Sequence, residues 1–223
     1  MQFQPQPLPP AQVFFNTIPA PLFYVSPTQI VAQVPFEIPF AGFGPSTALV
    51  TVVSNGIPGI AQTVNIAPFA AGIFTTGTGE PVITDNDTGL LVSQSAPASR
   101  GHTLIIWTTG LGLSLFDPAT GNGAPGVASP SLLPIVVTFK SAASGAQVTL
   151  LAQYAGLAPG FVALDQINIQ IPASAPTGMV ILQLQSPGLP LPIPYTIGIS
   201  NVWRKTAKLG FQHRLQRGPR ETT

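Results

Sequence analysis

The chain contains no cysteine, only two histidines, and few charges: Asp, Glu, Lys and Arg make up 7% of its 223 residues. Without cysteine there is no disulfide framework and no thiolate metal site. Ordinary soluble domains carry roughly 25% charged residues. So sparse a supply excludes a charged helical bundle, a coiled coil and a charge-rich disordered chain. Long apolar runs are missing as well. The longest stretches free of Pro and Gly, 161–171 and 199–209, hold 11 residues. A membrane-spanning helix needs about 18 or more apolar residues in succession, so no transmembrane segment is expected, although 45% of the residues are hydrophobic. Met1-Gln2-Phe3-Gln4-Pro5 has no positive start and no apolar stretch behind it, which does not fit a signal peptide.

The net charge of +1 is unevenly spread. Up to residue 203, Arg100 and Lys140 stand against Glu37, Glu80, Asp85, Asp87, Asp117 and Asp165. Beyond it, Arg204, Lys205, Lys208, Arg214, Arg217 and Arg220 stand against Glu221 alone. The body therefore has no electrostatic footprint for nucleic acid. The basic stretch Trp203–Arg220 is broken by Gly210, Gly218 and Pro219, so an amphipathic helix is not expected there. Residues 203–223 read as a basic tail, disordered or spurious.

What is abundant is punctuation: Pro 26 and Gly 22. Between these breakers lie segments that suit strands of about 5–6 residues. Ile167-Asn168-Ile169-Gln170-Ile171, Leu182-Gln183-Leu184-Gln185, Tyr195-Thr196-Ile197-Gly198-Ile199 and Thr63-Val64-Asn65-Ile66 alternate, with one face for a core and one for water. Thr103–Trp107 and Ile135–Phe139 are apolar on both faces and read as central strands. Ser54-Asn55-Gly56, Asp87-Thr88-Gly89, Thr120-Gly121-Asn122-Gly123 and Ser186-Pro187-Gly188 read as turns. Many short, closely spaced strands predict an all-β sandwich.

The sequence also repeats itself. Tyr24–Pro35 aligns with Phe161–Pro172 at a constant offset of 137, with Val25, Gln29, Ile30, Gln33 and Pro35 identical to their counterparts. Ser54-Asn55-Gly56-Ile57 then matches Ser186-Pro187-Gly188-Leu189, and Val64-Asn65-Ile66-Ala67 matches Ile197-Gly198-Ile199-Ser200. Two tandem modules are expected, over 1–76 and 77–202. The first copy has too few residues ahead of the shared motif to supply a counterpart of the strand at Leu104–Trp107. The expectation is an N-terminally incomplete first module, with an open sheet edge, in a fragment of a longer chain.

Several landmarks carry a resemblance. They are Ala20–Ile30 with Gln33-Val34-Pro35-Phe36-Glu37, Ala71-Gly72-Ile73-Phe74, the turn Asp85–Gly89, Arg100-Gly101, Thr109–Gly112, and Tyr154–Phe161 running to Gln166-Ile167-Asn168. Over about residues 11–200 the order and spacing resemble a set of Ig-like, IPT/TIG-related modules at the C-termini of large secreted acidobacterial proteins. The resemblance implies tandem Ig-like β-sandwiches, an extracellular or cell-envelope location, attachment to other domains of a longer parent polypeptide, and no catalysis. Such modules end in an apolar strand, whereas this chain passes after Ser200-Asn201 into its basic tail.

Little chemistry stands out. His102 reads as an exposed strand-edge residue, His213 lies in the tail, and no Gly-x-Ser-x-Gly nucleophile elbow occurs, so enzyme activity is not expected. Asp85, Asn86 and Asp87 offer clustered oxygens of the kind calcium takes, without the later Glu of an EF-hand loop. The same residues also form turns unaided. No other cofactor is indicated. Glu80, Asp117 and Asp165 are dispersed, with Asp165 reading as a loop residue, and they do not suggest a glycosidase pair. Phe14, Phe15, Phe23, Tyr24, Phe36, Phe40 and Phe43 make the N-terminal part rich in aromatics. Phe23, Tyr24, Phe40 and Phe43 are candidates for a ligand platform, the alternative being core filling. Gly110-Leu111-Gly112 reads as a turn. The functional expectation is a spacer or adhesion scaffold. The alternative is a carbohydrate- or surface-binding module meeting a cell-surface polysaccharide or protein.

Overall fold

A computed structural model describes residues 11–38, 46–186 and 194–201 of the chain. Among them every regular element is a β-strand. The N-terminal unit holds β1 (Ala11–Phe15), β2 (Ile18–Pro19), β3 (Leu22–Val25), β4 (Ile30–Ala32), β5 (Ser46–Ser54), β6 (Ile57–Pro58) and β7 (Gln62–Ile66). β1 pairs with β2 and β5, β5 also pairs with β6 and β7, and β3 with β4 forms a separate hairpin. Asn55 and Gly56, at φ 51° and 78°, make the turn into β6, the left-handed geometry for which Asn-Gly is suited. The core is small: Val13, Phe15, Ala20, Ile38, Ala48 and Ile66.

The C-terminal unit holds β8 (Gly72–Ile73), β9 (Ile83–Asp85), β10 (Leu90–Leu91), β11 (Ala98–Ser99), β12 (Thr103–Thr109), β13 (Ser129–Pro130), β14 (Val136–Ser141), β15 (Gln147–Leu151), β16 (Tyr154–Leu157), β17 (Asp165–Gln170), β18 (Gly178–Gln185) and β19 (Tyr195–Ser200). One sheet runs β10-β9-β12-β17-β16-β13, with β8 also on β12, and the other runs β11-β19-β18-β14-β15. Alternate side chains of both enter one core: Leu104 and Ile106 with Ile167 and Ile169 from the first, Val137 and Phe139 with Leu182 and Ile197 from the second. The unit is thus β-sandwich-like. The two segments apolar on both faces, 103–107 and 135–139, form the interior strands β12 and β14, as their composition demands.

Two sequence expectations need correction. The division at 76/77 falls too late, because Phe69, Ala71 and Ile73 belong to the larger core and β8 pairs with Thr108 and Thr109. The aligned Tyr24 and Phe161 do not occupy equivalent places either. Tyr24 lies in β3 opposite Val31, whereas Asn168, the counterpart of Val31, faces Tyr154, and Phe161 lies in the loop before β17. That loop is longer than the four-residue connection between β3 and β4, so the strand before it shifts.

Elsewhere the two units share registers. Ser46 pairs with Ile66 as Gly178 pairs with Ile199, and Thr47 with Asn65 as Met179 with Gly198. Val13 faces Val52 as Val137 faces Leu184, and Phe15 faces Val50 as Phe139 faces Leu182. The Ile38 amide donates to the Pro35 carbonyl as the Ala175 amide donates to that of Pro172.

Candidate functional site

Asp85 closes β9 with its side chain buried. Its Oδ1 accepts the amides of Asp87 at 2.9 Å and Thr88 at 3.3 Å, and its Oδ2 lies 2.7 Å from His102 Nδ1. Asp87 Oδ2 accepts the Thr103 amide at 2.8 Å. Antiparallel pairing of β9 with β12, Asp85 opposite Leu104, brings the turn to the start of β12. The His102 ring is consequently buried, 6% exposed, and not at an exposed strand edge. Its Nδ1 faces the Asp85 carboxylate, the kind of partner a buried polar ring needs. Ligand atoms of Asp85, Asp87 and His102 lie within 4.8 Å of one another, a set that could hold a metal ion. Asn86, the middle residue of the calcium candidate, is exposed and outside that set; its backbone amide donates to Thr103 O. Asp85 Oδ1 accepts two backbone amides and its Oδ2 faces His102 Nδ1, so a cation would compete with these partners for the carboxylate. Sequence reasoning missed His102 here, because no local pattern announces a pairing across two strands.

Of the other carboxylates, Asp117 lies near enough to Asp165 to disfavour its charge. Glu80 is exposed just after a turn, and its backbone amide donates to Thr76 Oγ1. Asp117 accepts the Ser114 hydroxyl at 2.6 Å and its amide at 3.0 Å, and Ser114 in turn meets Ser129 Oγ at 2.8 Å. Asp165 is the first residue of β17, buried, and not a loop residue as its position before an alternating run suggested. Its Oδ2 accepts the Leu111 amide at 3.1 Å. Burial pushes its carboxyl up to about 6, against the pull of the Leu111 and Gly110 amides. Those amides belong to the Gly110-Leu111-Gly112 turn. Gly110 and Gly112 have φ of +80° and +87°, and an added Cβ would collide with the Ala70 and Pro68 carbonyls. The glycines thus serve a close backbone approach, and Leu111 between them is buried.

Of the aromatic candidates, Phe23 and Tyr24 lie on β3, 43% and 50% exposed. Phe40 and Phe43 lie outside the described residues, as do His213 and the basic tail. Phe15 is core.

A contact between the units was not anticipated. The Thr120-Gly121 turn of the β12–β13 connection reaches the segment after β4. Glu37 accepts the Thr120 amide at 3.1 Å on Oε1 and the Thr120 hydroxyl on Oε2. Thr120 Oγ1 accepts the Phe36 amide at 2.9 Å, and Gln33 Oε1 accepts the Gly121 amide at 2.9 Å. The bond with Thr120 holds the Glu37 carboxyl below its usual range. Beside the contact, Ile18–Pro21, Glu37 and Thr120 line an open cleft.

The fold and these sites define an all-β chain with one sandwich-like core and a smaller β unit fastened to it. No family model matches the sequence, and no curated protein or solved structure matches it significantly. No helix among the described residues is long and apolar enough to cross a membrane.

Proposed function

We propose that the chain is a non-catalytic structural and interaction protein. In this reading two Ig-like modules, the first incomplete, form a spacer or adhesion scaffold within a secreted or cell-envelope bacterial protein. The observation that carries it is the contact between the units. Four hydrogen bonds from a single two-residue turn bind backbone and side chains of Gln33, Phe36 and Glu37. In this reading the clamp restrains the angle between the two β units, where relative motion would otherwise be the default. The abundance of Pro supports the same reading, since Pro lowers the entropy of the unfolded chain.

The test is small-angle scattering on the full chain and on Glu37→Ala/Thr120→Ala. The double variant should show a broader distribution of interatomic distances with both β units still folded by circular dichroism. Identical scattering profiles would mean that the clamp does not set the geometry and would sink the spacer reading.

Exposure of Phe23 and Tyr24 favours a second reading, a module that binds surface polysaccharide through stacked rings. Co-sedimentation with insoluble cellulose or chitin, lost in Phe23→Ala/Tyr24→Ala, would support it over the spacer.

A further inference from the structure

β4 and β17 align in sequence and each pairs with the strand that precedes it in the chain, yet they differ in what lies along the other edge. Ile30, Val31, Ala32 and Gln33 align with Ile167, Asn168, Ile169 and Gln170. β17 has β16 on one side and β12 on the other. β4 has β3 on one side, and among the described residues no strand pairs with its other edge.

The backbone directions can be assigned. Gln29 O accepts the Ser26 amide and Gln33 N donates to Pro21 O, so residues 29, 31 and 33 point towards β3. Strand alternation then turns the N–H and C=O of Ile30 and Ala32 towards the unpaired edge. In the C-terminal unit Asn168 O accepts the Gln153 amide on the β16 side, while Ile167 and Ile169 face Ile106 and Leu104 of β12. The side chains tell the same story. Ile167 and Ile169 are 0% and 2% exposed, whereas Ile30 and Ala32 are only half-buried. Ile171 is 0% exposed, and its counterpart Val34 is 49% exposed.

We propose that the outer edge of β4 is an acceptor site for an antiparallel strand supplied by a partner polypeptide. The chemistry of the donor follows from β12. It is uncharged, places a Leu- or Ile-sized side chain opposite Ala32 and another opposite Ile30, and pairs through the backbone at those two residues. The C-terminal unit displays this occupant in place, and the edge continues into the contact between the units at Gln33. A second copy of the chain fits less well, because its own β12 is already held between β9 and β17. The inference stands on the pairing registers and holds whether or not the chain is a spacer.

The probe is a labelled peptide carrying residues 101–110 between terminal lysines, added to the full chain. Fluorescence anisotropy should show saturable binding. Hydrogen exchange should slow at the Ile30 and Ala32 amides and change little at Val31 and Gln33, which already face β3. Ala32→Pro removes one outward donor and should weaken binding at least tenfold. In case that variant misfolds, the peptide itself is altered. N-methylation at the Leu104 and Ile106 positions should abolish binding, and at the Ile105 and Trp107 positions should leave it within about threefold. Absence of binding, equal protection at all four amides, or indifference to which peptide amides are methylated would overturn the proposal. So would concentration-dependent protection of Ile30 and Ala32 without peptide, which would assign the edge to a second copy.

Discussion

Asp165 is a buried carboxyl. Its ordinary value of 3.8 rises to about 6 because desolvation outweighs the two amides that favour its charge, and because Asp117 adds repulsion. A carboxyl whose value is higher in the native state than in the unfolded one favours folding while it is protonated. That contribution is complete below about pH 4 and is lost as pH rises through about 6, amounting to roughly 3 kcal/mol at most. Asp165→Asn keeps an oxygen for the Leu111 amide and never ionises. The natural chain should therefore melt at a lower temperature at neutral pH than at about pH 5, and the Asn variant should melt higher than it at neutral pH with a flatter profile. Parallel profiles from differential scanning calorimetry would show that Asp165 is not the group responsible. Glu37 acts in the opposite sense. Its carboxyl is held low by Thr120, so the clamp persists at neutral pH and loosens only as pH falls through that lowered value.

Among the elements, the β9–β12 corner turns a local motif into tertiary structure. The Asp85–Gly89 turn is formed by Asp85 accepting two amides ahead of it, and Gly89, at φ 72°, lets the chain reverse. Its acids are then occupied by His102 and the Thr103 amide. Millimolar calcium, the range in which extracellular modules bind it, should therefore leave the melting temperature unchanged. Asp85→Ala should lower stability by about 1–3 kcal/mol by stranding buried donors. A calcium-dependent rise in melting temperature, lost in Asp85→Ala, would instead make this corner a metal centre. The elements themselves were legible in the sequence. The alternation at 167–171 and 182–185 and the breakers around them place β17 and β18 because period-two burial is a local property. The pairing of Asp85 with His102, the burial of Asp165 and the reach of Thr120 to Glu37 were not legible, since each joins residues distant in sequence whose types are common in ordinary turns. Where a local signal did mislead, as at Tyr24 and Phe161, loop length decided against sequence identity.

Across the described residues the molecule shows two cores of unequal size. The larger seals Phe139, Ile106, Ile167, Leu182 and Ile197 completely, at 0% exposed. The smaller rests on six buried residues, three of them Ala or Val, with Ile30 and Ala32 only half-covered. Apolar burial stabilises by roughly 25 cal/mol per Å2, and small units bury less of it per residue. The N-terminal unit should therefore unfold first. In urea, hydrogen exchange at β5 should be lost at lower denaturant than exchange at β12 and β14. Phe139→Ala, which leaves a cavity in the sealed core, should lower the second transition by about 3–5 kcal/mol and bring it towards the first. Phe15→Ala should shift the first alone, because no residue of its cluster belongs to the larger core. The clamp at Thr120 bridges the units through polar contacts with an exposed Glu37, and hydrogen bonds at a surface contribute too little to force the cores to melt together. A single transition reported alike by β5, β12 and β14, and displaced equally by both substitutions, would show one cooperative body in place of two.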